Sequence, residues 1–126
     1  LNVVDSSAFL EYLLDSPASE VFAPVIEDTA QLVVPAIVIY EVTRRLRTVA
    51  GEARADHAWT ELTRARVAPL DADLAYAAAL LGTQHQLAMA DALIYATARQ
   101  HGATLWTQDA HFKDLPGVRY FPKIAA

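Results

Sequence analysis

Four acids stand where a carboxylate can do more than solvate a surface. Asp5 follows the apolar run Val3-Val4 and precedes Ser6-Ser7. Glu41 sits amid Ile37, Val38, Ile39, Tyr40 and Val42. Asp91 opens the run Asp91-Ala92-Leu93-Ile94, and Asp109 closes Leu105-Trp106-Thr107-Gln108-Asp109. An unpaired carboxylate in apolar surroundings is costly, and several brought together raise one another's pKa. A hard divalent cation that prefers oxygen ligands, Mg²⁺ or Mn²⁺, removes that repulsion. Singly, each acid also has a plain structural reading. Asp5 and Asp109 suit helix N-caps or turns. Asp91 complements a helix N-terminus, an effect of about 0.3–1 kcal/mol, and Glu41 is spaced to pair with Arg45 at i+4, for about 0.2–0.5 kcal/mol.

What separates these readings is whether the fold brings the acids together. Short β-rich runs alternate with helical patterns, which implies an α/β fold around a mainly parallel sheet. Strands are expected at 2–5, 31–34, 66–69, 103–107 and 118–121, apolar enough to be covered by helices on both faces. Asp5-Ser6-Ser7 offers capping oxygens before Leu10 and Leu14, and Pro35 opens a helix that can run to Gly51. A further helix is expected over 52–65. Asp71 caps an Ala-rich helix bearing Leu74, Ala78 and Leu81, and another runs from about Ala88 to Gly102; a short turn or helix follows Asp109. In such a sheet Asp5 and Asp109 emerge at the same C-terminal edge, where ligand clefts form. The N-terminus of the Asp91 helix faces that edge too.

The chain has 126 residues, and no linker or repeat divides it, so a single domain over 1–126 is expected. With 54% hydrophobic residues it can bury a core. It has no cysteine, which excludes disulfides, zinc–thiolate sites and a thiol nucleophile. No run is long enough to span a membrane, and the N-terminus has no basic region ahead of an apolar one, so cytoplasmic residence is the expectation. Ten Lys and Arg against fifteen Asp and Glu give a net charge of −5, which argues against nucleic-acid binding through an overall basic surface. Acids gathered at one cation site account for most of that excess.

The pieces Val4-Asp5-Ser6-Ser7, the acid of Tyr40-Glu41-Val42, Asp91-Ala92-Leu93-Ile94-Tyr95-Ala96-Thr97-Ala98, and Leu105-Trp106-Thr107-Gln108-Asp109-Ala110-His111-Phe112, with Leu115-Pro116-Gly117-Val118 closing, resemble the PIN domain. Within that family they are similar to the VapC-type toxin ribonucleases of bacterial toxin–antitoxin pairs. The resemblance covers nearly the whole chain in order. It implies a five-stranded, mostly parallel sheet flanked by helices and an acidic pocket for Mg²⁺ or Mn²⁺. Asp5, Glu41, Asp91 and Asp109 become the metal-binding and catalytic acids, with Thr107 and Ser7 as supporting hydroxyls. The implied reaction is hydrolysis of RNA phosphodiesters by a metal-activated water. The implied partners are RNA, a small antitoxin and a second copy of the chain; Tyr12 and Trp59 are the candidate dimer contacts. One departure stands out: many relatives carry Ser or Thr five residues before the helix acid, and here that place is Ala36.

Arg44, Arg45 and Arg47 form a basic cluster beyond Glu41 that suits RNA phosphates or an acidic partner. A solvated face with Arg45 paired to Glu41 is the alternative. His57, His85, His101 and His111 lack metal-ligand spacing, and packing is expected for His111. Trp59 and Trp106 are assigned to core or interface, Asp71 and Asp73 to a helix start. Two rival functions frame the test. One is a degenerate PIN domain acting as an interaction module. The other is a phosphoacceptor signalling domain, which needs an acidic pair after the first strand and a lysine after a late one; here Ser6-Ser7 follow Asp5, and Lys113 is the candidate lysine.

Overall fold

The computed structural model describes residues 1–124. Five parallel strands form two sheets that meet at one point. Strand β1 (Asn2–Val4) pairs with β4 (Thr104–Thr107), and β4 with β5 (Val118–Tyr120). The other sheet pairs β2 (Val33–Pro35) with β3 (Arg66–Ala68). A single parallel bridge between Asn2 and Leu32 joins them. The expected continuous five-stranded sheet is therefore reduced to three plus two strands. Its strands are only three or four residues long, and residues 29–31 are drawn into a 3-10 turn, so β2 begins at Val33 and pairs with β1 at that bridge alone.

Across the bridge the spatial order is β3-β2-β1-β4-β5. The chain runs outward from β1 in one direction and returns to its other side with β4. The order thus reverses between β1 and β4, and in open α/β sheets ligands bind outside the strand C-termini at such a switch point. Asp5 continues directly from β1 and Asp109 lies two residues beyond β4.

Helices α1 (Ser6–Leu13), α2 (Ser19–Glu27), α3 (Ala36–Val49), α4 (Glu52–Leu62), α5 (Ala72–His85) and α6 (Met89–Gln100) surround the strands. The residues Val3, Val4, Val33, Val34 and Leu105 are fully buried and pack with Phe22, Val38, Leu46, Leu62, Ile94 and Phe112 into the main core. The expectation of coverage on both faces holds for β1 and β2 but not for β3 and β5, which are sheet edges with exposed Arg66, Val67 and Arg119. A smaller cluster of Leu74, Ala78, Ala92, Leu93 and Ala96 joins α5 to α6. Gly82 permits that approach: a Cβ there would sit 3.1 Å from the Ala92 Cβ.

Helix α2 was not expected. Pro24 lies in its interior, and a proline removes a backbone donor and ordinarily breaks a helix. Burial of Phe22, Val25 and Ile26 against the core outweighs that loss. Pro35 sits one residue before α3, as its N-cap, and the helices expected to end at Gly51 and 65 stop at Val49 and Leu62.

Candidate metal centre

Asp5 is the N-cap of α1. Its Oδ1 accepts the Ala8 backbone N–H at 3.0 Å and the Ser7 hydroxyl at 3.3 Å, and its Oδ2 accepts the Thr107 hydroxyl. The structural reading of Asp5 is thus correct as far as it goes. Yet the residue is only 3% exposed, and burial pushes its carboxyl up from 3.8 to about 6, helped by the charge of Asp109 and opposed by the hydrogen bonds from Thr107 and Ala8. Carboxyls perturbed in this way cluster at functional sites.

Asp109 caps the 3-10 turn Ala110–Phe112, its Oδ1 accepting the His111 backbone N–H at 2.9 Å. Its own N–H is donated to the Thr107 hydroxyl at 2.9 Å. Asp91 lies in the first turn of α6 with its side chain 22% exposed. Burial, the Asp109 charge and the Glu41 charge raise its pKa, and His111 pulls it down. Glu41 reaches the site from α3, where its Oε1 accepts the Ser6 hydroxyl at 2.6 Å. That bond gives Glu41 a hydroxyl partner although position 36 is alanine.

The acids therefore form an electrostatic chain, Asp5 to Asp109, Asp109 to Asp91, Asp91 to Glu41, across the C-terminal edge of the strands. Ligand atoms of Asp91, Asp109 and His111 all lie within 4.8 Å of one another, close enough to share one cation. Asp5 and Glu41 stand outside that group; the oxygens of Asp5 accept from Ser7, Ala8 and Thr107. The donor set of carboxylates and one imidazole fits a hard or borderline divalent ion.

His111 corrects the sequence reading. It is exposed rather than packed, with Nδ1 3.3 Å from Asp109 Oδ1 and 3.5 Å from Asp91 Oδ2. Spacing could not reveal it, since its partners are Asp109 two residues away and Asp91 from another helix. The other histidines lie elsewhere: His57 by Glu61, His85 edge-on to Tyr95, and His101 on the Thr97 carbonyl.

Glu41 and Arg45 form no ion pair among the described residues. Arg44, Arg45 and Arg47 are exposed, and Arg47 pairs with Glu52 at 3.6 Å. Trp106 is half-buried, stacked on Phe121, and donates to Asn2 Oδ1 at 2.8 Å, whereas Trp59 is 55% exposed on α4. Asp71 caps α5 as expected and Asp73 lies in its first turn. Lys113 lies over the Tyr120 ring, 6.0 Å from its centroid, and not in the acidic group. The phosphoacceptor reading loses its lysine there. A cavity of about 630 Å³ lies away from the acids, between α1, α2 and α4, and is lined by Tyr12, Glu20, Glu27, Arg54 and Glu61 among others. Among the described residues no helix is long and apolar enough to cross a membrane.

A family model described as PIN domain matches residues 3–118. No curated protein sequence matches the chain. Several solved structures do match in fold. A toxin–antitoxin complex from Klebsiella pneumoniae superposes with a TM-score of 0.80 at 21% identity, covering 98% of this chain and 100% of that one. The sarcin-ricin loop cleaving toxin VapC20 of Mycobacterium tuberculosis gives 0.78 at 20% identity, covering 97% and 100%. VapBC2 of Rickettsia felis, bound to a DNA fragment from its promoter, gives 0.73 at 16% identity, covering 96% and 97%.

Proposed function

The chain belongs to the PIN-domain family, with the fold of the VapC-type toxins, and from that premise we propose that it is a Mg²⁺- or Mn²⁺-dependent endoribonuclease, the toxin of a toxin–antitoxin pair. The observation that carries this reading is the meeting of Asp91, Asp109 and His111 within 4.8 Å at the switch point of the strand order, with Asp5 and Glu41 adjoining.

Asp91 and Asp109 are the residues to hold the cation, and His111 closes the group on its solvent side. When bound, a divalent cation supplies positive charge at the phosphate oxygens and makes water more acidic. The protein's part is orientation and charge. Thr107 fixes both Asp5 and the Asp109 backbone, so the two acids keep one separation. Ser6 holds Glu41 facing the same edge, which leaves its second oxygen for water or substrate. Asp5, buried and held by Thr107 and Ala8, adds negative charge beside Asp109 that a bound cation would relieve.

An antitoxin partner and pairing of two copies belong to the same reading. An antitoxin able to place a basic side chain among the acids would neutralise them as a cation does. Apolar side chains exposed on and beside α5, including Tyr76, Leu80 and Met89, offer a broader contact for a second copy than Tyr12, which is half-buried and bonded to Glu27. The experiment is incubation with total cellular RNA and Mg²⁺ or Mn²⁺, followed by mapping of new 5′ ends. Discrete cuts lost with EDTA and with Asp91→Asn support the nuclease. Cuts that survive both, or none from the wild type, overturn it and favour a non-catalytic interaction module.

A further inference from the structure

A tyrosine beside a cation borders the acidic centre on each of two flanks. On the Glu41 flank a cleft of about 360 Å³ is lined by Tyr40, Glu41, Arg44, Arg45 and Thr48. Tyr40 is 57% exposed. Arg44 steadies it, with its guanidinium 6.0 Å from the ring centroid and Nη1 donating to the phenol oxygen at 3.1 Å. Tyr40, Arg44 and Thr48 recur every fourth residue along α3, so they form one stripe leading away from the acids. Arg47 is neutralised by Glu52, but among the described residues no carboxylate lies within 4.0 Å of Arg44 or Arg45.

On the Asp109 flank a second cleft, about 370 Å³, is lined by Ser7, Gln108, Asp109, Ala110, Tyr120 and Lys123. Tyr120 is half-buried at the end of β5, directly beside Thr107 in register, and Lys113 Nζ stands 6.0 Å from its ring. One flank thus begins at Glu41 and the other at Asp109, with Asp91 interacting electrostatically with both.

Bases of a single strand present open π-faces to aromatic side chains, whereas those of a duplex are stacked on each other and out of reach. Cations beside the rings suit the phosphates between such bases, and the acids in the middle repel phosphate until a metal is bound. A basic peptide drawn to the acids would instead meet Arg44, Arg45 and Lys123 as like charges, which favours RNA as the occupant of both clefts.

We propose that a single-stranded segment of RNA lies across the acidic centre, one base stacked on Tyr40 and another on Tyr120, its flanking phosphates held by Arg44, Arg45 and Lys123. The choice of RNA rests on the nuclease reading above; the two stacking positions rest on the clefts themselves.

The test is fluorescence anisotropy of the full chain with a fluorescein-labelled single-stranded RNA and with its duplex, in Ca²⁺, with gels checking that the RNA stays intact. Tyr40→Ala and Tyr120→Ala should each weaken single-strand binding by about five- to 150-fold. Tyr40→Phe and Tyr120→Phe, which keep the ring, should stay within about twofold of wild type, and the duplex should bind less well and respond to none of them. Thermal melts accompany each variant, and Tyr120→Leu replaces Tyr120→Ala should the latter lose its fold. Alanine variants that bind as wild type does, phenylalanine variants that lose as much as alanine ones, a preference for duplex, or no RNA binding at all would each overturn the proposal. A chain that binds single strands through Tyr40 and Tyr120 but never cuts RNA sinks the nuclease reading alone. One that cuts with unchanged affinity in the alanine variants sinks the stacking alone.

Discussion

Thr107 joins Asp5 to Asp109: its hydroxyl donates to the Asp5 carboxylate across 102 residues of sequence and accepts the Asp109 backbone N–H at 2.9 Å. The residue is fully buried at the end of β4. One hydroxyl thereby locks the acid that follows β1 to the one that follows β4, on either side of the point where the strand order reverses.

Thr107→Val keeps the shape and removes both bonds. It leaves a buried carboxylate oxygen and a backbone N–H without their partner, which costs about 1–3 kcal/mol. Loss of an outer residue that orients metal ligands typically weakens metal binding by about 10- to 100-fold. Chemical denaturation and calorimetry with Mn²⁺ should show both losses together; unchanged metal affinity at reduced stability would confine Thr107 to a structural role.

Asp91→Asn should separate function from fold. Its side chain is partly exposed and makes no helix-capping bond, so the melting temperature in EDTA should hold or rise as repulsion from Asp109 and Glu41 is relieved. RNA cleavage should fall by about two orders of magnitude or more. Melts in EDTA beside cleavage assays in Mn²⁺ decide it, and equal activity of the two proteins would remove Asp91 from the site.

His111→Ala tests the residue that sequence spacing did not reveal. Its exposed ring supports little packing, so stability should change by no more than about 0.5 kcal/mol. Mn²⁺ affinity should drop about tenfold or more if the imidazole completes the group with Asp91 and Asp109. Identical titrations for variant and wild type would leave a ligand set of carboxylates alone.

The pH dependence of stability follows from Asp5. Its pKa is about 6 in the folded chain against an ordinary 3.8, because burial disfavours its charge. Between those values the folded chain binds more protons than the unfolded one, so this residue's contribution to stability falls as pH rises through the window. In EDTA the melting temperature of wild type relative to Asp5→Asn should therefore climb as pH is lowered from 7 to about 4. Metal binding should weaken over the same descent, as protonation removes a charge from the centre. A wild-type–variant difference that stays flat with pH would show that Asp5 ionises as an ordinary surface acid does.

The sequence alone specified the kinds of element and the acids. Alternating β-rich runs and capped helical patterns were enough for a parallel α/β fold, and Asp5, Asp109 and Asp71 were legible as caps because N-capping is a local interaction. It did not determine helix α2, since the local cost of Pro24 is legible and the compensating burial of Phe22 and Ile26 against distant residues is not. Nor did it determine sheet continuity, which depends on where β2 meets β1, a matter of one bridge between Asn2 and Leu32. Side-chain partners were decided by tertiary structure alone. Glu41 was spaced for Arg45 and instead accepts from Ser6, 35 residues earlier, while His111 turned outward to Asp91 and Asp109 rather than inward. Local spacing ranks the contacts a helix can make with itself, each worth a few tenths of a kcal/mol. A bond to a buried-edge carboxylate from another element is stronger than that, and only the folded chain reveals which element supplies it.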